Sequence, residues 1–139
     1  MRLTLALILL AQPLLAADTK ARADYILVCS GCHGMTGQGT EIGGVPAFPA
    51  SVGRIAASER GRTYMMHVPG VVSNALDNAE IAAVTNYILN EWGDGAAPFT
   101  EGEVTRRRAI PIKDVVAERR GLAQELAGAG VDIAPYPWP

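Results

Sequence analysis

The stretch Cys29-Ser30-Gly31-Cys32-His33 determines how the rest of this 139-residue chain is interpreted. Two thiols separated by two residues and followed at once by a histidine have the spacing that attaches haem covalently. Both sulfurs can reach the vinyl groups on one porphyrin edge, and the adjoining imidazole can then bind the iron. The sequence contains no other cysteine. We therefore predict one haem c with its iron, bonded to Cys29 and Cys32, with His33 as the proximal iron ligand.

A cysteine pair at this spacing has other interpretations when no histidine follows it. It also occurs in redox dithiols, in zinc sites and as a short disulfide, and an oxidising compartment favours the disulfide. The histidine and the amino-terminal sequence both favour haem attachment over these alternatives.

The amino terminus is organised like a secretory signal peptide. Met1-Arg2 is a short basic start, residues 3–15 are mostly apolar, and Ala16-Ala17 supplies the small residues at which a signal peptidase cuts. A retained membrane anchor is the alternative, but the apolar run is short for a bilayer and Pro13 interrupts it. We predict that residues 1–17 are removed on export to the periplasm, leaving a mature chain without a membrane span.

The charge balance argues against a nucleic-acid partner. The chain has 12 Lys and Arg against 14 Asp and Glu, and the predicted signal peptide contains only Arg2 among these charges. The exported chain is therefore mildly acidic and lacks the basic footprint of a nucleic-acid binder.

Helical periodicity precedes the motif, and a glycine-rich and proline-rich segment follows it. Residues 18–28 predict an amino-terminal helix with Ala21, Tyr25 and Val28 on its inner face. After the glycines of residues 34–44, the segment Val45-Pro46-Ala47-Phe48-Pro49 is stiff and apolar. We expect it to form a wall against the proximal face of the haem.

The strongest helix signal in the chain follows Asp77. Asp77 and Glu80 match a capping box, an apolar stripe continues for about four turns, and Gly93 ends the pattern. A shorter helix is predicted within residues 57–67, with Ser58 as its cap and Pro69-Gly70 beyond its end. These segments predict an all-α fold around the haem.

Residues 99–139 form a carboxy-terminal extension beyond the predicted haem-binding domain of residues 18–98. Residues 111–126 predict one more helix. Arg106-Arg107-Arg108 forms either a solvated helix face or, as a less favoured alternative, a docking site for a partner. The aromatic tail Pro135-Tyr136-Pro137-Trp138-Pro139 either lies over this domain or reaches a partner, and both remain open.

From about Asp18 to Gly93 the chain resembles a class I c-type cytochrome with a single haem. The motif that carries the resemblance is Cys29 to Gly34, followed by the glycines after it. Pro46 stands where such proteins place a proline whose carbonyl accepts the free ring N–H of the proximal histidine. The resemblance implies the cytochrome c fold, with Tyr25 and Tyr87 near the crossing of the first and last helices.

The sequence departs from this family at the sixth iron ligand. The family usually presents a methionine in the loop before the last helix, and residues 70–76 contain none. The nearest candidates are Met65, Met66 and His67. Because neighbouring helical residues point about 100° apart, at most one of the two methionines can face the iron. Met66 is the preferred distal ligand, with Met65, His67 and an open sixth position as alternatives.

The resemblance implies a periplasmic cytochrome that carries single electrons and is not an enzyme. Its partners would be a dehydrogenase-type donor and a haem protein or oxidase as acceptor. The extension of residues 99–139 leaves a second hypothesis, a dedicated haem subunit of a larger oxidoreductase complex. An open sixth position leaves a third and less favoured one, a gas-binding haem protein.

Overall fold

The computed structural model describes residues 17–136, and this part of the chain is helical. Its extended pairing is limited to one antiparallel bridge between Thr40 and Val45, so the all-α prediction is confirmed. The predicted signal peptide, apart from Ala17, and the aromatic Trp138 lie outside the described residues. None of the helices within the described part is long and apolar enough to cross a membrane.

Seven helical segments follow one another along these residues. The first, α1, is α-helical over 17–24, continues as a π-helical turn over Tyr25–Cys29, and ends as an α-helical turn over Ser30–His33. The others are α2 Val52–Ala56, α3 Glu59–Met65, α4 Pro69–Val72, α5 Asn78–Trp92, α6 Glu101–Arg108 and α7 Val115–Gly128.

Helix α5 begins at the predicted capping box. The Asp77 carboxylate accepts from the Glu80 N–H at 2.8 Å, and the Asp77 N–H donates to the Glu80 carboxylate at 3.0 Å. Where α5 meets α1, the ring centroids of Tyr25 and Tyr87 are 5.4 Å apart, and Lys20 forms an ion pair with Glu80 at 2.9 Å. The helix buries Ile81, Ala82, Val84, Thr85, Ile88 and Leu89.

The π-helical turn in α1 corrects the predicted inner face of this helix. Ser30 donates its N–H to the carbonyl of Tyr25, five residues earlier. The wider turn shifts the residues after Tyr25 around the helix axis. Tyr25 is fully buried as predicted, but Val28 is 37% exposed and Leu27 is 80% exposed. The prediction that Val28 faces inward is therefore wrong.

Helix α3 has the predicted cap and a different end. The Ser58 hydroxyl accepts from the Gly61 N–H at 2.9 Å. The helix ends at Met65, and Pro69 occupies the first turn of a separate helix, α4, so Pro69 starts a helix instead of ending one. Proline is well tolerated there because its missing N–H has no intrahelical acceptor in the first turn.

The carboxy-terminal extension packs into the same hydrophobic core as the rest of the chain. Phe99, Val104 and Leu122 are 3%, 0% and 0% exposed within this core. The last helix begins at Val115 and not near residue 111, because the Asp114 carboxylate caps it by accepting two backbone N–H groups at 2.9 Å.

Arg107, the middle one of the three consecutive arginines, is buried in contacts within the protein. Its guanidinium donates to the Thr63 hydroxyl at 2.8 Å, to the Glu59 carboxylate at 2.8 Å and to the Glu103 carboxylate at 2.7 Å. Arg107 is only 9% exposed. It therefore joins α6 to α3, and the favoured prediction of a solvated face is wrong for this residue.

The segment just before the aromatic tail lies against the body of the protein. The Ala134 N–H donates to the Ser51 hydroxyl at 3.1 Å, and Arg119 donates to the Ala134 carbonyl at 2.6 Å. Arg54 donates to the carbonyl of Asp132 at 2.5 Å. The chain up to Ala134 is thus held by its own domain.

Candidate haem site

The two cysteines lie on successive turns at the end of α1. Cys29 is the last residue of the π-helical turn and is half-buried, whereas Cys32 is exposed, and the two sulfurs are not bonded to each other. Burial raises the pKa of the Cys29 thiol to about 11, with smaller contributions from Asp24 and Cys32. Cys29 therefore faces the interior, and Cys32 faces the surface.

His33 ends α1 and turns its ring into the protein. Its Nδ1 atom is buried and makes no hydrogen bond of normal geometry within residues 17–136. Burial lowers the pKa of the imidazole to about 4, and the nearby Pro46 carbonyl opposes part of this decrease. At neutral pH the ring is uncharged, which is the form of histidine that binds metals.

A tight glycine loop returns Pro46 to the neighbourhood of His33. The Gly39 N–H donates to the His33 carbonyl at 2.9 Å, and Gly39 adopts a φ of 69°. A side-chain Cβ at Gly39 would lie 2.1 Å from the Val45 carbonyl oxygen and 2.9 Å from that of Pro46. Only glycine lets the backbone at residue 39 lie this close to the carbonyls of Val45 and Pro46, so the loop conformation requires glycine at this position.

An aromatic cluster lies beside His33. The Phe48 ring stacks on the His33 imidazole, with centroids 3.9 Å apart and planes inclined by 14°. Trp92 lies 5.6 Å from Phe48 and 5.4 Å from Tyr25, measured between ring centroids. The Tyr25 hydroxyl donates to the carbonyl of Gly34 at 2.5 Å, next to His33. Sequence reasoning placed Phe48 in an apolar wall but missed its direct contact with His33, and no local pattern marks that contact.

The distal candidates lie on another element, at the end of α3. Met66 is fully buried and Met65 is 9% exposed. His67 is half-buried, and its Nδ1 lies 2.9 Å from the Thr63 carbonyl oxygen. Because a carbonyl can only accept, Nδ1 carries the proton and the neutral ring has its free lone pair on Nε2. The structure thus groups Cys29, Cys32, His33 and Pro46 at one end of α1, apart in sequence from the three distal candidates.

The surroundings of the motif fit a large apolar cofactor. Several apolar side chains near it along the chain are exposed, and covering them would stabilise the protein. They include Leu27 at 80%, Met35 at 56% and Ile42 at 92% exposure. Among residues 17–136, no group of three or more His, Cys, Asp or Glu side chains is arranged as a metal site. The exposed apolar side chains and the half-buried imidazole, whose Nδ1 atom lies inside the protein, fit a haem attached beside His33.

Comparisons with known proteins agree with this chemistry. The chain is 36% identical, over an alignment of 142 residues, to a cytochrome c-552 of Thermus thermophilus, and the alignment covers 82% of this chain and 95% of that protein. It is 37% identical over 119 residues to another Thermus thermophilus cytochrome c-552, covering 68% of this chain and 90% of the relative. No family model matches the chain, and no solved structure matches it. This identity and coverage show that the chain belongs to the c-type cytochromes, electron-carrying proteins with covalently attached haem c, and its single CxxCH motif agrees with the monohaem class I members.

Proposed function

We propose that this protein is a periplasmic monohaem electron carrier, with haem bonded to Cys29 and Cys32 and His33 as the proximal iron ligand. The observation that carries this proposal is the half-buried imidazole of His33, with its Nδ1 atom inside the protein, directly after the two thiols. When bound, the haem iron supplies a one-electron redox couple. Export to the periplasm is supported by the signal-peptide pattern of residues 1–17 and by the attachment of haem c on the outer side of the bacterial inner membrane.

The surrounding residues hold the proximal imidazole in place. The Pro46 carbonyl acts on the His33 ring and is the proposed acceptor for its Nδ1–H. Such a contact orients a histidine ligand and raises its basicity toward the metal. The glycine loop that ends at Pro46 therefore contributes to the function through the position of one carbonyl oxygen.

Met66 is the distal ligand in this proposal. Among the three candidates only Met66 is completely buried, in the hydrophobic core that Cys29 and Phe48 also contact. A methionine at the sixth position raises the reduction potential of a haem relative to a second histidine. Since axial ligands shift haem potentials over about 0.8 V, this assignment bears directly on which partners the protein can serve.

A specific contact favours His67 as the alternative distal ligand. Its Nδ1–H is directed at the Thr63 carbonyl, so that Nε2 is the free nitrogen. Metal-bound histidines commonly donate their second N–H to a carbonyl in this way. Met65 has no comparable contact and remains the third choice.

The proposed partners are a dehydrogenase-type donor and a haem protein or oxidase that accepts the electron. Exposed Cys32 and the apolar side chains before the motif mark the surface where partners would dock, over a small and short-lived interface. In this proposal the protein is a carrier and not an enzyme. Ala134, just before the aromatic tail, is bound to its own domain, and a dedicated haem subunit of a larger oxidoreductase complex remains the alternative.

Visible spectra of the oxidised and reduced holoprotein test the ligand assignment. We expect Met66→Leu to lose the six-coordinate low-spin spectrum and to bind carbon monoxide at once when reduced. Met65→Leu, a matched change at the adjacent residue, should keep the wild-type spectrum. Loss of the low-spin spectrum only in His67→Ala would identify His67 as the ligand. A wild-type protein that itself binds carbon monoxide at once would favour the gas-binding alternative.

A further inference from the structure

We propose that Phe48 is a positioning residue that fixes the plane of the His33 imidazole. This inference rests on the proposed role of His33 as an iron ligand and goes beyond it. The two rings lie nearly parallel, 3.9 Å between centroids and inclined by 14°, so the phenyl face covers one face of the imidazole.

Phe48 is itself held from several directions. Its N–H donates to the Gly37 carbonyl at 2.7 Å, and its carbonyl accepts from the N–H groups of Ser51 and Val52 at 3.0 and 2.9 Å. The Trp92 ring stacks against it at 5.6 Å with an inclination of 28°. Phe48 is therefore a fixed surface for the imidazole.

The rings of Phe48 and Trp92 pack closely against Gly37. A Cβ at Gly37 would lie 3.0 Å from the Trp92 ring and 3.2 Å from the Phe48 ring. Interiors packed this closely resist even small displacements of their side chains. The two rings behind His33 are thus confined on the side of the glycine loop as well.

A ligand held at a single nitrogen is free to rotate about its bond to the metal. The Pro46 carbonyl, the proposed acceptor for Nδ1–H, acts on one edge of the His33 ring, whereas the Phe48 ring covers a whole face of it. Rotation of the imidazole would drive its edge into the Phe48 face and is opposed by steric contact. The plane of a histidine ligand sets the magnetic anisotropy of a low-spin ferric haem, so its orientation is measurable.

Electron paramagnetic resonance of the oxidised holoprotein tests this role. We expect Phe48→Leu to shift and broaden the largest g value, and Phe48→Tyr, which keeps the ring, to restore the wild-type signal. Phe99→Leu is the matched control: Phe99 is 3% exposed and its ring packs beneath the Arg62 guanidinium at 3.7 Å, in a set of contacts that does not include His33. Phe99→Leu should lower stability and leave the g values unchanged.

The outcomes separate this inference from the proposed function. A wild-type low-spin signal that persists unchanged in Phe48→Leu would overturn the positioning role alone. A His33→Ala variant that keeps the wild-type signal would instead overturn the assignment of His33 as ligand. If Phe48→Leu does not fold, proton NMR of the wild type decides: the inference requires nuclear Overhauser contacts between the Phe48 and His33 rings, and their absence contradicts it.

Discussion

The Arg62 guanidinium donates to both oxygens of the Glu103 carboxylate, at 2.6 and 2.7 Å, and thereby joins α3 to the carboxy-terminal extension. Arg62 also donates to the carbonyls of Ala97 and Pro98 at 2.8 and 3.0 Å. Arg107 gives the same carboxylate a third hydrogen bond at 2.7 Å. These contacts lower the pKa of Glu103 to about 2, and the hydrogen bonds from Arg62 make the largest contribution. The extension is thus tied to the domain by an ionised carboxylate.

This tie predicts a specific loss of stability in acid. The pKa of Glu103 is lower in the folded protein than its ordinary value of 4.5. The ionised Glu103 carboxylate therefore contributes fully to the stability of the folded protein above pH 4.5, and this contribution is lost as the pH falls toward 2. Glu103→Gln should lower the thermal unfolding midpoint at pH 7 and flatten its decline between pH 4.5 and 2.

Glu101→Gln is the matched control for this measurement. Glu101 is an exposed carboxylate in the first turn of the same helix, α6. We expect it to keep the wild-type acid dependence. An unchanged slope in Glu103→Gln would contradict the role assigned to the Arg62 contact.

The buried position of Leu122 predicts that the extension stabilises the whole domain. Leu122→Ala removes a fully buried side chain of α7 from the common core and should cost about 2–5 kcal/mol of unfolding free energy. Gln124→Ala, at an exposed position on the same helix, should cost far less. Denaturant unfolding measures both, and equal stability of the two variants would mean that α7 does not support the core.

The close approach of Gly39 to Pro46 predicts a redox effect without a change of ligand. In Gly39→Ala the added Cβ would lie 2.1 Å from the Val45 carbonyl oxygen and 2.9 Å from that of Pro46, so we expect the Pro46 carbonyl to move away from His33. Loss of this carbonyl makes the imidazole a weaker donor to ferric iron, so the reduction potential should rise. Potentiometric titration measures it.

Gly95→Ala separates the clash from backbone strain. Gly95 has a φ of 82° but no neighbour within 4 Å of an added Cβ. The Gly95→Ala variant should therefore be less stable than the wild type and have the same reduction potential. Equal potentials for the two alanine variants would argue against the Pro46 contact.

The hydroxyl of Tyr25 predicts a modest structural effect next to the motif. Tyr25→Phe removes its hydrogen bond to the Gly34 carbonyl and should destabilise the holoprotein by about 1 kcal/mol. Tyr87→Phe removes a hydroxyl from the neighbouring ring, which is less buried, and should cost less. Thermal unfolding of the two variants compares them, and a greater loss in Tyr87→Phe would contradict the prediction.

Local signals allowed several elements to be predicted from the sequence. Asp77 with Glu80, and Ser58, cap the helices that follow them as predicted, because a cap depends on residues three positions apart. The last helix begins four residues later than predicted, because Asp114 caps it and the helix starts at Val115. The π-helical turn over Tyr25–Cys29 was missed, since nothing in its composition distinguishes it from an ordinary helical turn.

Contacts between distant segments could not be predicted. The burial of Arg107 depends on Glu59 and Thr63, more than 40 residues earlier. The stack of Phe48 on His33 depends on how the glycine loop closes. The choice between Met66 and His67 depends on which side chain reaches the iron, and helical spacing alone does not determine this.

Mass spectrometry of the exported, purified protein tests the central claim most directly. If Cys29 and Cys32 bind the cofactor, the denatured chain will carry the mass of one haem. Fragmentation will then place both thioether bonds within the peptide that ends in Cys32-His33. A chain without haem, with these two cysteines free or joined in a disulfide, would contradict the claim.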